Sequence, residues 1–241
     1  MNLLSRQELV NLRDVGGLPA KGGGGTTRHG MLYRSDVPHD GDADPAHVPH
    51  WPPATVVDLR TEREAERTSY ALRGAERVPY PLHGAAAPDS VRGSDLGAIY
   101  RHILESVPER VAAAVGIVVS SPAPVLVHCT AGKDRTGIVI GALLLAAGVA
   151  PVDVLADYLR TADNMDAVVQ RVARRARPGA RPLNPAWLLT PAEAFTEVIK
   201  ALTLSAHGDV RGWLCAHGTR RDRLDEWAQR FVQPAVRAEA W

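Results

Sequence analysis

The chain has 241 residues, of which 45% are hydrophobic and 23% charged, with a formal net charge of +1. That length buries the core of one α/β domain, and a near-neutral balance excludes a general nucleic-acid binder, which needs a strong basic excess. Two cysteines, Cys129 and Cys215, imply no disulfide framework and predict a reduced protein.

Met1 to Glu8 lacks the long apolar stretch of a signal peptide. The longest apolar run, from Gly137 to Ala150, is too short to span a bilayer. A cytoplasmic protein with no stable membrane insertion is the expectation, and signal-independent secretion is compatible with it. Gly22 to Gly25 and the Pro/Asp/His-rich stretch from Pro38 to Pro53 read as loops. The histidines of the second loop, His39, His47 and His50, match no metal-ligand spacing and are expected to be solvated. Met31 to Tyr33 and the β-branched run Ala54 to Leu59 predict strands. Arg77 to Tyr80 contains Pro79, which restricts it to an edge or a strand end. Leu96 to Val119 predicts at least one helix.

Pro124 to His128 is a continuous apolar run that suits a strand buried on both faces. The segment after Arg135, with Ile138, Val139, Ile140 and Leu143 to Leu145, is apolar nearly all round. It predicts a helix in the middle of the domain. Val152 to Leu159 and Asp166 to Arg175 predict further helices. The basic run Arg171, Arg174, Arg175, Arg177 and Arg181 reads as a solvated helix end, or else as a face toward an anionic membrane or polyphosphorylated substrate. Thr190-Pro191-Ala192-Glu193 reads as a capping box opening a helix with Phe195, Val198, Ile199 and Leu202 on one face. Asp209 is placed to cap a short helix with Val210, Trp213 and Leu214 inward. Thr219 is placed to start a last helix with Leu224, Trp227, Ala228 and Phe231 on its buried stripe. Cys215 reads as a small core residue, with a redox partnership with Cys129 as the alternative. Strands concentrate before Cys129 and helices after it. The expected fold is therefore α/β, a small mostly parallel sheet flanked by helices with extra C-terminal helices. It divides into a strand-rich part (1–128), a loop (128–137) and a helical part (138–241) of a single domain.

The chemistry concentrates in His128-Cys129-Thr130-Ala131-Gly132-Lys133-Asp134-Arg135-Thr136-Gly137. A free thiol is mostly protonated at neutral pH and becomes a nucleophilic thiolate at a helix N-terminus beside a fixed cation. Here a strand ends at Cys129 and a helix begins near Arg135, so the backbone N–H groups from Thr130 to Arg135 can curl around one anion. Arg135 supplies a planar fork matched to two phosphate oxygens, and Gly132 permits the tight turn. Thr136 is expected to place a hydroxyl near the sulfur, and His128 to orient the loop. Substrate binding is thus expected from Thr130, Ala131, Gly132, Lys133, Asp134 and Arg135. The chain has only three lysines, so Lys133 inside this loop stands out in an arginine-rich sequence.

These residues resemble the cysteine-dependent protein tyrosine phosphatase superfamily. Within it the likeness is to bacterial tyrosine phosphatases of the kind secreted by mycobacteria, which act on tyrosine, serine and phosphoinositide substrates. Further matching pieces are Asn11 to Gly17, Gly30 to Ser35, Val57 to Arg60, Ala156 to Leu159 and Gly212 to Leu214. The resemblance implies a phosphatase fold over residues 1–241 and a two-step mechanism through a phosphocysteine on Cys129, with no metal or organic cofactor. It places the general acid at Asp134 inside the loop, with Asp58, Asp89 and Asp95 as the other candidates. It makes Asp58 a second active-site carboxylate; a structural bond to Arg13, Arg34 or Arg60 is the competing role. It also gives Lys133 a second phosphate on an inositol ring or nucleotide, against a general rise in positive potential. The partner is then a phosphorylated protein, a phosphoinositide or a small phosphomonoester. A rhodanese-like sulfurtransferase and a catalytically inactive phosphate-binding module are the alternatives from other classes.

Overall fold

The computed structural model describes residues 8–21, 25–68, 70–82, 96–175 and 188–234. Asp89, Asp95, Arg177 and Arg181 lie outside the described residues. A five-stranded sheet is built from β1 (Arg13–Asp14), β4 (Leu32–Ser35), β7 (Val125–His128), β5 (Thr55–Asp58) and β6 (Glu76–Pro79), in that spatial order. The last four run parallel and β1 alone is antiparallel. Pro79 ends the edge strand β6, where its missing N–H costs no ladder bond. A second, antiparallel sheet joins β2 (Pro19–Ala20) and β3 (Gly25–Thr27) to β8 (Val232–Gln233). The stretch read as loop at Gly22 to Gly25 thus ends inside a strand.

The central strands are buried on both faces, and their alternation sorts the core into two parts. Leu32, Val57, Val125 and Val127 face the larger cluster. Tyr33, Val56 and Leu126 face the smaller one, which also holds Leu9, Leu12, Val37, Val48 and Tyr70. The helices α2 (Leu96–Ser106), α3 (Pro108–Ser120), α4 (Asp134–Ala146), α5 (Pro151–Leu159), α7 (Ala192–Thr203), α8 (Val210–Ala216) and α9 (Arg221–Phe231) all contribute to the larger cluster. Helix α4 is buried from Thr136 to Ala146, as its all-round apolar sequence requires. The remaining α-helices among the described residues are α1 (Glu62–Arg67) and α6 (Met165–Arg175), which follows a short 3₁₀ turn. Among the described residues no helix is long and apolar enough to cross a membrane.

Four local readings are corrected. Thr190 caps nothing: Pro191 holds the N-cap position of α7, and the Thr190 hydroxyl is buried without a partner among the described residues. The capping box that does form is at α1, where Thr61 accepts from the Glu64 N–H and the Glu64 carboxylate accepts from the Thr61 N–H. His39 is buried rather than solvated, and His47 bonds the Leu12 carbonyl. Arg171 is also buried: it ion-pairs with Asp36 at 2.7 Å and Asp42 at 2.9 Å and donates to the Glu8 and Val37 carbonyls. It ties α6 to the chain beyond β4 and is no part of a solvated basic end. Asp209 caps α8 through the Gly212 N–H, whereas α9 starts from Arg220, with the Thr219 hydroxyl bonded instead to the Ala112 carbonyl.

Candidate active site

The parallel registers bring the last residues of three strands level, Ser35, His128 and Asp58. The loop after His128 therefore leaves at the C-terminal edge of the sheet, where ligands of open α/β sheets bind. Its geometry is set by where its carbonyls go. The Cys129 carbonyl accepts from His128 Nδ1 at 2.9 Å and the Thr130 carbonyl from the Val37 N–H at 3.1 Å. The Ala131 carbonyl accepts from Asn11 Nδ2 at 2.9 Å and the Gly132 carbonyl from Arg34 Nη2 at 2.8 Å. In a trans peptide the next residue's N–H points opposite to the carbonyl. Four successive amides, Thr130 to Lys133, are thereby turned away from these outer partners and into the loop. Gly132 has φ +69°, and a Cβ there would run into the Ser35 carbonyl, so no other residue fits this turn.

The outer partners are themselves fixed. Asp157 on α5 accepts from Arg13 Nε at 2.8 Å and Arg34 Nη1 at 2.5 Å, all three buried. Burial alone would raise the Asp157 carboxyl, and the two guanidinium groups instead hold it below its ordinary value. Arg13 Nη1 donates to Asn11 Oδ1 at 2.7 Å, which aims the other end of that amide at the loop. His128 is fully buried, and burial pushes its pKa down to about 4. The neutral ring donates from Nδ1 to a carbonyl, so Nε2 accepts, and the Tyr70 hydroxyl donates to it at 2.6 Å.

Cys129 is buried at the start of this cradle. Arg135, the second residue of α4, donates Nη1 and Nη2 to the Glu64 carboxylate at 2.7 and 2.6 Å, and Nη1 also reaches the Leu59 carbonyl. A guanidinium carries five N–H donors. Nε and the second hydrogen of Nη2 remain, a parallel fork for two oxygens of one phosphate. Burial opposes charge on Arg135, but the bonds to Glu64 and the charges of Cys129, Glu64 and Asp134 raise its pKa above the ordinary value. Glu64 also accepts from the Thr130 hydroxyl at 2.8 Å. Burial would raise its carboxyl; the Arg135, Thr61 and Thr130 bonds hold it well below the carboxylate range.

Asp58 is buried and bound by Arg60 (2.8 and 2.9 Å) and Arg77 (2.6 Å), with His128 Nε2 at 3.7 Å. Of the partners weighed for it, Arg60 is the one found; Arg13 and Arg34 belong to Asp157. Burial would raise Asp58, and the Arg60 and Arg77 bonds overcome this and keep it ionised. Asp134 begins α4, and its Oδ1 accepts from the Tyr100 hydroxyl. Lys133 is fully buried: its Nζ donates to the Leu189 carbonyl at 2.7 Å and lies 3.5 Å from Asp134 Oδ1. The Thr136 hydroxyl is buried with no hydrogen-bond partner among the described residues. Cys215 is a free thiol, half-buried on α8 against the core. Among the described residues no group of three metal-ligating side chains comes together.

Sequence reasoning missed Glu64, Tyr70 and Tyr100. Only Glu64 had a legible signal: Thr61-Glu62-Arg63-Glu64 follows closely on the strand ending at Asp58, and a capping box there turns the Glu64 carboxylate back toward the sheet edge.

Comparison with known proteins agrees with this arrangement. A family model described as the tyrosine phosphatase family matches residues 4–233. The chain is 31% identical, over 92% of its length and 84% of the relative's, to a protein of Cupriavidus necator provisionally named a tyrosine-protein phosphatase. It is 30% identical to the tyrosine-protein phosphatase of Nostoc commune, over 73% of this chain and 65% of that one. A shorter match, 46% over 50 residues, covers 21% of this chain and 18% of the triple specificity protein phosphatase PtpB of Mycobacterium tuberculosis. With a helix-borne arginine following a buried cysteine on a mostly parallel α/β sheet, and a family match over nearly the whole chain, this protein belongs to the tyrosine phosphatase family and is an enzyme of the protein-tyrosine-phosphatase type.

Proposed function

We propose that this enzyme hydrolyses phosphomonoesters through a phosphocysteine on Cys129, and that phosphotyrosine in proteins is its principal substrate. The observation that carries the reading is the set of outward-tied carbonyls, which turns four amides inward beside Cys129 and the open fork of Arg135. The Cys129 thiolate attacks phosphorus and the ester P–O bond breaks, its electron pair leaving on the departing oxygen. Asp134 gives that oxygen a proton. Water then attacks the phosphocysteine, the Asp134 carboxylate takes a proton from it, and the thiolate leaves. Charge in both steps lies on the equatorial oxygens, so the amides of Thr130, Ala131, Gly132 and Lys133 and the Arg135 fork supply most of the stabilisation. The Thr136 hydroxyl, buried without a partner among the described residues, is a donor for the departing sulfur. Asp58 holds Arg60 and Arg77 and takes no proton, because its carboxyl stays ionised.

The names of the Cupriavidus and Nostoc relatives support a tyrosine substrate. The Lys133 geometry supports a single phosphate: its Nζ is committed to the Leu189 carbonyl, so a second anion must first displace that bond. A phosphate-release panel of phosphotyrosine and phosphoserine peptides, phosphoinositides and nucleotide monophosphates, ranked by kcat/KM, tests this. Phosphotyrosine is expected to lead, with Lys133→Ala lowering every rate alike. A lead by phosphoinositides, lost selectively in Lys133→Ala, would overturn the substrate reading, as a lead by nucleotides would.

A further inference from the structure

We propose that Tyr100 is a positioning residue that selects which oxygen of Asp134 carries the transferable proton, and that Tyr158 in turn orients Tyr100. The inference rests on Asp134 being the general acid. Tyr100 is wholly buried on α2, and its hydroxyl reaches Asp134 Oδ1. The Tyr158 hydroxyl lies 2.8 Å from the Tyr100 hydroxyl. The Tyr100 hydroxyl donates to Asp134 Oδ1, so its oxygen must accept from Tyr158. Burial first, and the charge of Asp134 next, raise both phenols above their ordinary pKa, so each keeps its proton.

Aromatic packing leaves this hydroxyl chain little freedom. Tyr158 and Phe195 stack with centroids 3.9 Å apart, and Tyr100 stands edge-on to both rings. A Cβ on Gly137 or Gly141 would press on Phe195, so α4 approaches the node closely. Helices α2, α5 and α7 thus meet beneath the first turn of α4, which bears Asp134. The Lys133 Nζ lies on the same side, 3.5 Å from Oδ1. With a donor and a cation both on Oδ1, that oxygen is the poorer site for a proton, and Oδ2 carries it. When the P–O bond breaks, the Oδ2 proton passes to the departing oxygen with that bond's electron pair. The carboxylate left behind is stabilised through Oδ1. Tyr100 therefore acts on proton donation alone, not on phosphate binding.

The experiment compares kcat/KM for phenyl phosphate, whose leaving oxygen needs a proton, with that for p-nitrophenyl phosphate, whose leaving oxygen needs little help. Losing a hydrogen bond to a charged group translates to a loss of about tenfold on phenyl phosphate for Tyr100→Phe, with less than about threefold on p-nitrophenyl phosphate. Asp134→Asn is expected to show the same selectivity more strongly, and the double variant to match Asp134→Asn alone. Equal losses on both substrates in Tyr100→Phe, while Asp134→Asn stays selective, overturn the inference and leave the general acid standing. Equal losses in Asp134→Asn instead overturn Asp134 as the acid. Should Tyr100→Phe fail to fold, Tyr158→Phe keeps the ring and removes one donor. A selective loss of about threefold on phenyl phosphate is then expected, and its absence overturns the proposal.

Discussion

Glu64 accepts from the Thr61 N–H and hydroxyl, the Thr130 hydroxyl and both Nη atoms of Arg135, so one carboxylate joins the start of α1 to the cradle. Its charge matters as much as its shape. Glu64→Gln keeps the shape but turns an amide N–H₂ toward Arg135, opposing donor to donor. Loss of charge-assisted bonds of about 1.5–3 kcal/mol predicts kcat/KM lower by about ten- to a hundredfold, with weaker phosphate binding. An unchanged rate would show that Arg135 holds its orientation without Glu64. The nucleophile has a cleaner test. Cys129→Ser keeps the amides and the Arg135 fork but replaces a thiolate with a hydroxyl that ionises far less readily. Turnover of p-nitrophenyl phosphate should vanish while vanadate still binds by titration calorimetry. A fully active serine variant would end the phosphocysteine mechanism.

At the scale of elements, a strand, a loop and a helix are locked together by carbonyl acceptors. β7 delivers Cys129, α4 delivers Arg135, and the turn between them is shaped by donors from Asn11, Arg34 and Val37. Asp157 on α5 secures two of these from a distance, because it binds Arg34 directly and Asn11 through Arg13. Asp157→Asn would leave two buried guanidinium groups short of an anion. Breaking a buried pair from one side costs about 3–5 kcal/mol, which should appear as a lower urea midpoint at an unchanged slope. Phosphate affinity should fall with it, since the Ala131 and Gly132 carbonyls lose their fixed donors. A variant as stable as the parent would show that Arg13 and Arg34 find another partner.

For the whole molecule, buried titratable groups set the response to acid. His128 and His39 both have their pKa pushed down to about 4, by burial first. Between pH 6.5 and 4 the unfolded chain binds protons that the fold refuses, so stability is lost as pH falls through that window. A shift of that size is worth up to about 3 kcal/mol for a buried histidine. Asp36, pushed up to about 6 by burial, works the other way, since the fold keeps its proton between about 4 and 6. Below the carboxylate range, the anchors at Glu64, Asp58 and Asp157, all lowered in the fold, are lost as well. The urea midpoint should therefore peak near neutrality, decline from about pH 6.5 and drop faster below about pH 4. Both ring nitrogens of His39 lack partners among the described residues, so His39→Leu should flatten the first decline. A midpoint constant from pH 7 to 4 would contradict this.

The sequence by itself determined the reaction class and the frame. A strand-to-helix turn with Cys129, Gly132 and Arg135 at fixed spacing leaves few chemistries, because backbone amides, a helix start and a guanidinium fork all favour one anion. Continuous apolar and β-branched runs and all-round apolarity likewise made β4, β5, β7 and α4 readable, since burial is written into side-chain type. Capping was legible only in kind: the same Thr-x-x-Glu pattern fails at Thr190 and succeeds at Thr61, because tertiary packing selects which one closes. The tertiary structure decided everything that depends on partners distant along the chain. Asn11, Arg13, Arg34 and Asp157 are scattered in sequence yet hold one loop, and Tyr100 meets Asp134 only because α2 folds beneath α4. Lys133, conspicuous by composition, is drawn inward to a backbone carbonyl, a placement that no local pattern encodes.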